Sequence, residues 1–222
     1  MSYKLAIFDF DGTLADSIDW FIGVINQVAE RHGFRRIEPH EIESLRGYEA
    51  RQMIQHLNVP MWKMPLVARD MRARMTREIG GIALFPGVDA MLQRLAERGV
   101  QLAVVTSNSA ENVRRVLGPR NAALIRHSGC GAAVLGKGPK LRKAVRAAGV
   151  SPAEAISIGD EIRDLRASRA EGIPFGAVTW GFTRGDALRA LQPDLVFETM
   201  EEIADIVGDG VVRPSTTRTP GG

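Results

Sequence analysis

Strand-like and helical stretches alternate over most of this chain, and one long helical block interrupts the alternation. Short apolar runs typical of buried strands lie at 3–9, 101–106, 132–136, 155–159, 175–180 and 195–198. Amphipathic helical patterns separate these runs from residue 88 onward. The alternation predicts βαβ units and a Rossmann-like α/β fold, in which a parallel sheet carries helices on both faces.

The block between the first and second predicted strands is too long for an ordinary crossover. Its apolar residues recur at helical spacing over 17–33, 39–45, 48–57 and 61–79. Asp16 or Ser17 can cap the first of these helices and Gly33 can end it. We therefore expect a small all-helical cap, 16–82, above the carboxyl edge of the sheet, where open α/β sheets bind ligands.

The rest of the chain divides around this insertion. We expect the core to comprise 1–15 and 83–207, followed by a polar, Pro/Gly-rich tail at 208–222 that is disordered. No stretch approaches the roughly 20 apolar residues that span a bilayer. The first residues lack the pattern of a signal peptide. The expectation is a cytoplasmic protein with no membrane partner, either a monomer or a homodimer.

Charge and cysteine usage exclude further classes. The formal net charge is +3 at pH 7, and basic residues are interleaved with acidic ones, as on solvated helix faces. Since no basic run is interleaved with aromatic residues, we expect no nucleic-acid partner. Cys130 is the only cysteine, which excludes an internal disulfide and a cysteine-based zinc site, and it is expected to be buried or incidental.

Two aspartates directly follow the first predicted strand, in the segment FDFDGTLADS at 8–17. Asp9 and Asp11 could be turn or capping residues, as DG dipeptides often are. At the end of a buried strand, however, two close carboxylates cannot both ionise cheaply without a cation. Mg²⁺, a hard ion with oxygen ligands, resolves that cost. One carboxylate can then attack a phosphorus atom while the other shuttles a proton.

Other polar residues also follow predicted strands. Thr106 and Ser107 offer hydroxyls and backbone amides at a helix N-terminus, which suit phosphate oxygens, although Ser109 alone can cap that helix. A glycine-rich loop supplies two candidate cations, Lys137 and Lys140. The segment GDEIRD supplies a second group of acids, and these are Asp160, Glu161 and Asp164.

Together these segments resemble the haloacid dehalogenase superfamily of aspartate-nucleophile phosphatases, and within it the phosphoglycolate-phosphatase-like members. DFDGTLADS is similar to the first motif of that family almost letter for letter, LAVVTSN to the second and GDEIRD to the fourth. FPGV, VTWGF and PDLVFETMEEI are also similar to its phosphatases. The resemblance implies a Mg²⁺-dependent phosphatase that hydrolyses a small phosphorylated metabolite, either phosphoglycolate-like or a sugar phosphate.

The resemblance also implies a role for each acid. Asp9 would form an aspartyl-phosphate, and Asp11 would protonate the leaving group, activate water and help to hold Mg²⁺ through its backbone carbonyl. Asp160 would ligate Mg²⁺, and Asp164 would support the metal site.

The phosphoryl group would be bound by other residues of the same motifs. Thr106 would donate a hydrogen bond to it, and Gly12 and the amides around Phe10 would contact it. Lys137 would neutralise charge beside it, but the loop GKGPKLRK departs from the usual family pattern, so Lys140 stays open as an alternative.

In the cap, SLRGYEAR resembles a substrate-specificity segment. Arg46, Gly47 and Arg51 would face the non-reacting part of the substrate, although both arginines can equally be structural or solvated. The same core residues would serve a sugar phosphomutase of the beta-phosphoglucomutase type, which hands the phosphoryl group to a second sugar hydroxyl. A non-catalytic binding module on the same fold is a further alternative.

Overall fold

The computed structural model describes residues 3–132 and 136–209, and a six-stranded parallel sheet forms its centre. Along the chain the strands are β1 (Leu5–Phe8), β2 (Ala15–Asp16), β3 (Ala83–Leu84), β4 (Gln101–Val105), β5 (Ile125–Gly129), β6 (Ala155–Gly159), β7 (Phe175–Val178) and β8 (Leu195–Phe197). The sheet order is β5-β4-β1-β6-β7-β8, with every neighbouring pair parallel. β2 and β3 form a separate antiparallel ribbon.

Ten α-helices lie within the described ranges. They are α1 (Ile18–His32), α2 (Ile42–Leu45), α3 (Ala50–His56), α4 (Met64–Glu78), α5 (Val88–Glu97), α6 (Ala110–Leu124), α7 (Gly138–Ala148), α8 (Ile162–Ala170), α9 (Gly185–Ala190) and α10 (Met200–Asp209). Within those ranges, none combines the length and apolar character that crossing a bilayer requires.

Both faces of the sheet are buried. Successive side chains of a strand point to opposite faces, so one strand can contribute to two apolar clusters. Ala6 and Phe8 of β1 belong to one apolar cluster, which includes residues of α5, α6 and α10. Leu5 and Ile7 belong to a second cluster, which includes residues of α7. The prediction of a Rossmann-like parallel sheet with helices on both faces is therefore confirmed.

The helices α1 to α4 form the inserted cap and have an apolar cluster of their own. Its buried members include Val24, Val28, Leu45 and Val67. The ribbon of β2 and β3 lies where the chain enters and leaves the cap. We retain the division into a core of 1–15 with 83–207 and a cap of 16–82 as a proposal.

The boundaries of α1 agree in part with the sequence pattern. Gly33 ends the helix in the left-handed conformation, with φ of 65°, which glycine adopts without steric cost. Ser17 occupies the N-cap position, but neither it nor Asp16 caps by a side-chain hydrogen bond: Ser17 makes none to the first turn. Its hydroxyl is instead buried beside the acidic motif.

The region after β4 departs most from the prediction. The helix predicted after Thr106 and Ser107 is α6, which runs to Leu124 across a kink at Gly118 and is followed directly by β5. No strand was predicted at β5, because its sequence, IRHSG, has only one strongly apolar residue. β5 lies at the edge of the sheet and pairs with β4 alone, and an edge strand tolerates such a composition. The strand predicted at 132–136 lies largely outside the described residues, as does most of the tail predicted from 208.

Candidate active site

Three adjacent strands bring the predicted site residues together. Asp9, Thr106 and Asp160 directly follow β1, β4 and β6, and β1 lies between the other two in the sheet. Because the three strands are parallel, their carboxyl ends meet at one edge. The side chains of all three residues are buried, with at most 6% of Asp9 exposed.

A buried lysine lies between two of the acids. The Nζ atom of Lys137 is 2.7 Å from Oδ2 of Asp9 and 2.6 Å from Oδ1 of Asp164. Burial alone would raise the pKa of Asp9, but the charge and hydrogen bond of Lys137 lower it below the usual value. Although burial opposes the charge on Lys137, the carboxylates of Asp164 and Asp9 raise its pKa. Asp9 is therefore held as a carboxylate.

Three carboxylates form a cluster that one ammonium does not neutralise. Oxygen atoms of Asp9, Asp160 and Asp164 all lie within 4.8 Å of one another. Burial, followed by the charges of Glu161 and Asp9, raises the pKa of Asp160 to about 8. Burial also raises the pKa of Asp164 well above its ordinary value, against the opposing charge of Lys137. Buried oxygen donors with unrelieved negative charge fit a hard divalent cation.

The position of Asp160 is fixed by residues that the sequence did not single out. Its Oδ1 accepts a hydrogen bond from the Thr13 hydroxyl at 2.8 Å, and its Oδ2 accepts one from the Phe182 amide at 2.7 Å. A Cβ atom at Gly181 would lie 2.1 Å from the Cβ of Asp160, and one at Gly12 would lie 2.4 Å from Oδ2. Gly12 thus makes room for a carboxylate, and its predicted phosphate contact stays a prediction.

Asp11 lies outside the carboxylate cluster. Its carboxylate accepts a hydrogen bond from the Asn108 side-chain amide, at 3.2 Å to Oδ2. Burial and the neighbouring charge of Asp9 raise the pKa of Asp11 to about 6, while the Asn108 contact lowers it. A carboxyl group with this pKa can exchange a proton near neutral pH, which is what a general acid and base requires. Asn108 is a further residue that the sequence did not single out.

The residues after β4 form a tight turn into α6. The Thr106 hydroxyl accepts a hydrogen bond from the Asn108 amide at 3.0 Å, and the Ser109 hydroxyl caps α6 by accepting one from the Asn112 amide at 3.1 Å. Ser107 is exposed and, like Thr106, lines the cavity beneath the cap. The Phe10 side chain is buried in the core, so only its backbone can face the site.

The second candidate lysine has different partners. The Nζ atom of Lys140 donates a hydrogen bond to the backbone carbonyl of Thr106 at 2.9 Å and another to that of Gly131. It therefore joins two loops, whereas Lys137 contacts the acids. Of the two candidate lysines, Lys137 is therefore the one that lies against the acids, and its role beside a phosphoryl group stays a prediction.

Of the three predicted specificity residues in the cap, one lines the cavity. The Arg46 guanidinium donates hydrogen bonds to the carbonyl oxygens of Gly181, at 2.8 Å, and Phe182, at 3.3 Å. Arg51 is exposed on α3, and neither Arg51 nor Gly47 is among the residues that line the cavity. Arg46 thus connects the cap to the loop that holds Asp160.

Comparison with known proteins agrees with this geometry. The family model described as haloacid dehalogenase-like hydrolase matches residues 6–178. The chain belongs to the haloacid dehalogenase-like hydrolases. The phosphoglycolate phosphatase of Synechococcus elongatus is 31% identical over 202 residues, which cover 90% of this chain and 95% of that protein. The phosphoglycolate phosphatase of Xanthomonas campestris is 27% identical, covering 82% of this chain and 86% of its own.

Solved structures of haloacid dehalogenase-like proteins share the fold. A family member from Streptococcus pneumoniae has a TM-score of 0.76 at 21% identity, covering 90% of this chain and 96% of its own. CbbY from Rhodobacter sphaeroides, solved in complex with phosphate, has a TM-score of 0.70 at 21% identity, covering 90% and 96%. The prediction of a haloacid dehalogenase-like enzyme that resembles phosphoglycolate phosphatases is confirmed.

Proposed function

We propose that the chain is a Mg²⁺-dependent phosphatase that hydrolyses the phosphate ester of a small molecule through an aspartyl-phosphate on Asp9. The observation that carries this proposal is the ionised Asp9 carboxylate, paired with Lys137 at 2.7 Å and within 4.8 Å of two further carboxylates. Relatives named phosphoglycolate phosphatases make phosphoglycolate one candidate substrate. Arg46, predicted to face the non-reacting part of the substrate, donates hydrogen bonds to backbone carbonyls.

The first step uses Asp9 and Asp11. An oxygen of Asp9 attacks the phosphorus atom, the bond from phosphorus to the ester oxygen breaks, and Asp11 protonates that oxygen as it leaves. A carboxyl group with a pKa of about 6 is well suited to this transfer, since it holds a proton in part of the molecules at neutral pH. Lys137 offsets negative charge beside the transferred group.

In the second step, Asp11 takes a proton from water, and the oxygen of that water attacks the phosphorus atom. Inorganic phosphate leaves and the Asp9 carboxylate is restored. Thr106 and the amides after β4 lie at the same edge and would hold the phosphate oxygens. Asp9, Asp160 and Asp164, with the backbone carbonyl of Asp11, would hold Mg²⁺, which when bound supplies positive charge to the phosphoryl oxygens.

Release of p-nitrophenol from p-nitrophenyl phosphate with and without Mg²⁺ tests the proposal. We expect Mg²⁺-dependent turnover that Asp9→Asn abolishes, while Asp19→Asn, an exposed aspartate on α1, leaves turnover unchanged. Asp11→Asn should release one equivalent of p-nitrophenol, because that leaving group needs no proton, and should retain a phosphoryl group on the peptide that contains Asp9. Mass spectrometry of the digested protein detects it.

Three outcomes would contradict the proposal. They are turnover that is independent of Mg²⁺, turnover by Asp9→Asn equal to that of the unsubstituted chain, and isomerisation of a sugar phosphate without release of phosphate. The last would establish the phosphomutase alternative, and equality with Asp9→Asn would favour a non-catalytic module.

A further inference from the structure

An open cavity of about 490 Å³ lies beneath the cap and reaches the acidic motif. Asp9, Asp11 and Thr106 line it together with residues of α1, α2, α3 and α4. Ligand sites in proteins commonly have volumes of roughly 300–1,000 Å³. A phosphoryl group placed at Asp9 therefore has a space beside it that is large enough for a substantial organic group.

Most side chains that line this cavity within the cap are apolar. They include Ile25, Ile37, Leu45, Leu57, Val59 and Val67, which are also buried members of the apolar cluster of the cap. Protein interiors are normally close-packed, with few voids larger than a water molecule. Apolar residues of the cap thus border a space that the protein itself does not fill.

Methionine is prominent among the remaining lining residues. Met53, Met64, Met71 and Met75 all line the cavity. Methionine is unbranched and adapts to irregular apolar partners, which makes it common on surfaces that accept varied ligands. A flexible apolar lining can adapt to apolar ligands of different shapes.

Two of the three arginines that line the cavity are already paired with acids. Arg46 pairs with Glu43 at 3.2 Å and donates to backbone carbonyls, and Arg163 pairs with Glu161. Arg72 is solvent-exposed on α4. A carboxylate or a set of sugar hydroxyls placed among the apolar residues would lose hydration without gaining partners.

We propose that the substrate is a phosphate monoester of an apolar alcohol, whose alkyl or aryl group occupies the cavity of the cap. This inference rests on the proposed function, because it places the phosphoryl group at Asp9. It distinguishes the substrate from phosphoglycolate and from sugar phosphates, both of which carry polar groups beside the ester.

Binding of non-hydrolysable phosphonates tests the inference apart from catalysis. Isothermal titration calorimetry in Mg²⁺ would compare ethyl-, butyl-, hexyl- and octylphosphonate with 3-phosphonopropionate, which has the carboxylate of phosphoglycolate. We expect affinity to rise about three- to fourfold per added methylene until the cavity is filled, with an increasingly negative heat-capacity change. Affinity independent of chain length, tighter binding of 3-phosphonopropionate than of octylphosphonate, or no binding at all would overturn the inference.

A pair of variants on one helix locates the effect. Ala68 of α4 lines the cavity, and Ala73 of the same helix is exposed and is not among the lining residues. We expect Ala68→Phe to reduce the affinity ratio of octyl- to ethylphosphonate by about tenfold or more, since a phenyl group displaces several methylenes, and Ala73→Phe to leave it unchanged. Equal ratios in the two variants would overturn the assignment of the cavity.

Turnover separates this inference from the proposed function. If p-nitrophenyl phosphate is hydrolysed with Mg²⁺ but phosphonate affinity does not depend on chain length, the phosphatase proposal stands and the apolar substrate is wrong. If affinity rises with chain length but no ester is hydrolysed, the cavity binds as inferred and the phosphatase proposal is wrong.

Discussion

Lys137 and Lys140 lie three positions apart but have different surroundings. Lys137 is nearly buried between the carboxylates of Asp9 and Asp164, and Lys140 is bonded to the backbone carbonyls of Thr106 and Gly131. The first can act on charge in the site, while the second supports the shape of the loops. Methionine is about as long as the aliphatic part of a lysine side chain. Substituting each lysine by methionine therefore keeps that apolar part and removes the ammonium.

We expect Lys137→Met to lower kcat by about 10²–10³-fold, the usual effect of removing one group that stabilises the transferred charge. Lys140→Met should lower the free energy of unfolding by about 1–3 kcal/mol, because two part-buried carbonyls lose a donor, with a much smaller loss of kcat. Steady-state kinetics and urea unfolding measure the two effects. A greater loss of kcat in Lys140→Met would transfer the active-site role to that lysine.

Site residues that directly follow a strand were easier to predict from the sequence than residues whose partners lie far away along the chain. Asp9, Thr106 and Asp160 stand out because each directly follows an apolar run. Thr13 was missed, since its partner Asp160 is 147 positions away. Gly181 was missed because its importance depends on the 2.1 Å approach to Asp160, which appears only in three dimensions.

At the scale of elements, the loop after β7 connects the sheet edge that carries the acidic cluster to the cap. Its Phe182 amide holds Asp160, and its carbonyl oxygens at 181 and 182 accept hydrogen bonds from Arg46. The Arg184 amide in turn donates to the backbone carbonyl of Arg46 at 3.0 Å. A second contact between cap and core, the pair of Arg166 with Glu49, is exposed.

We therefore expect Arg46→Ala to weaken binding of Mg²⁺ by about tenfold, because groups that orient a metal ligand commonly contribute 10–100-fold to affinity. Arg166→Ala removes an exposed cap–core ion pair and should leave Mg²⁺ affinity unchanged. Isothermal titration calorimetry of the metal-free protein compares them. If both variants bind Mg²⁺ as the unsubstituted chain does, the loop does not transmit the cap contact to Asp160.

Buried strands were easier to predict from the sequence than exposed or very short ones. The strands β1, β4 and β6 lie near the centre of the sheet and are apolar enough to be read directly. The edge strand β5 has alternating, partly exposed residues, and the two-residue strands β2 and β3 are too short to produce a pattern. Their positions are fixed by pairing with neighbours, which a local reading of the sequence does not contain.

At the scale of the whole molecule, the buried acids link stability to pH and to metal. A carboxyl group whose pKa is raised by folding opposes folding once the pH exceeds its unfolded value, 3.8 for Asp160. The opposition is complete above the folded value of about 8. Asp164, also raised, acts in the same direction. The metal-free protein should therefore lose stability between about pH 4 and pH 8 through these groups, against other contributions.

Binding of Mg²⁺ should offset the destabilisation of the folded state by these ionised acids, and the effect should be larger at high pH. With a pKa of about 8, Asp160 is about half ionised at pH 8, whereas at pH 6 the ion must displace a proton, which lowers the affinity by up to about 50-fold relative to pH 8. The stabilisation by a fixed excess of Mg²⁺ should therefore fall by up to about 2.3 kcal/mol between pH 8 and pH 6. Thermal unfolding with Mg²⁺ and with a chelator at both pH values measures it.

The Asp160→Asn variant distinguishes the titration of Asp160 from other effects of pH on stability. The amide has nearly the same shape but no charge, so the variant should be more stable than the unsubstituted chain in chelator at pH 8, where the repulsion from Asp9 and Glu161 is greatest. It should also lose most of the stabilisation by Mg²⁺ at both pH values, because a carboxylate ligand is missing. An Mg²⁺ effect of equal size at pH 6 and pH 8 would show that protonation of Asp160 does not compete with the ion.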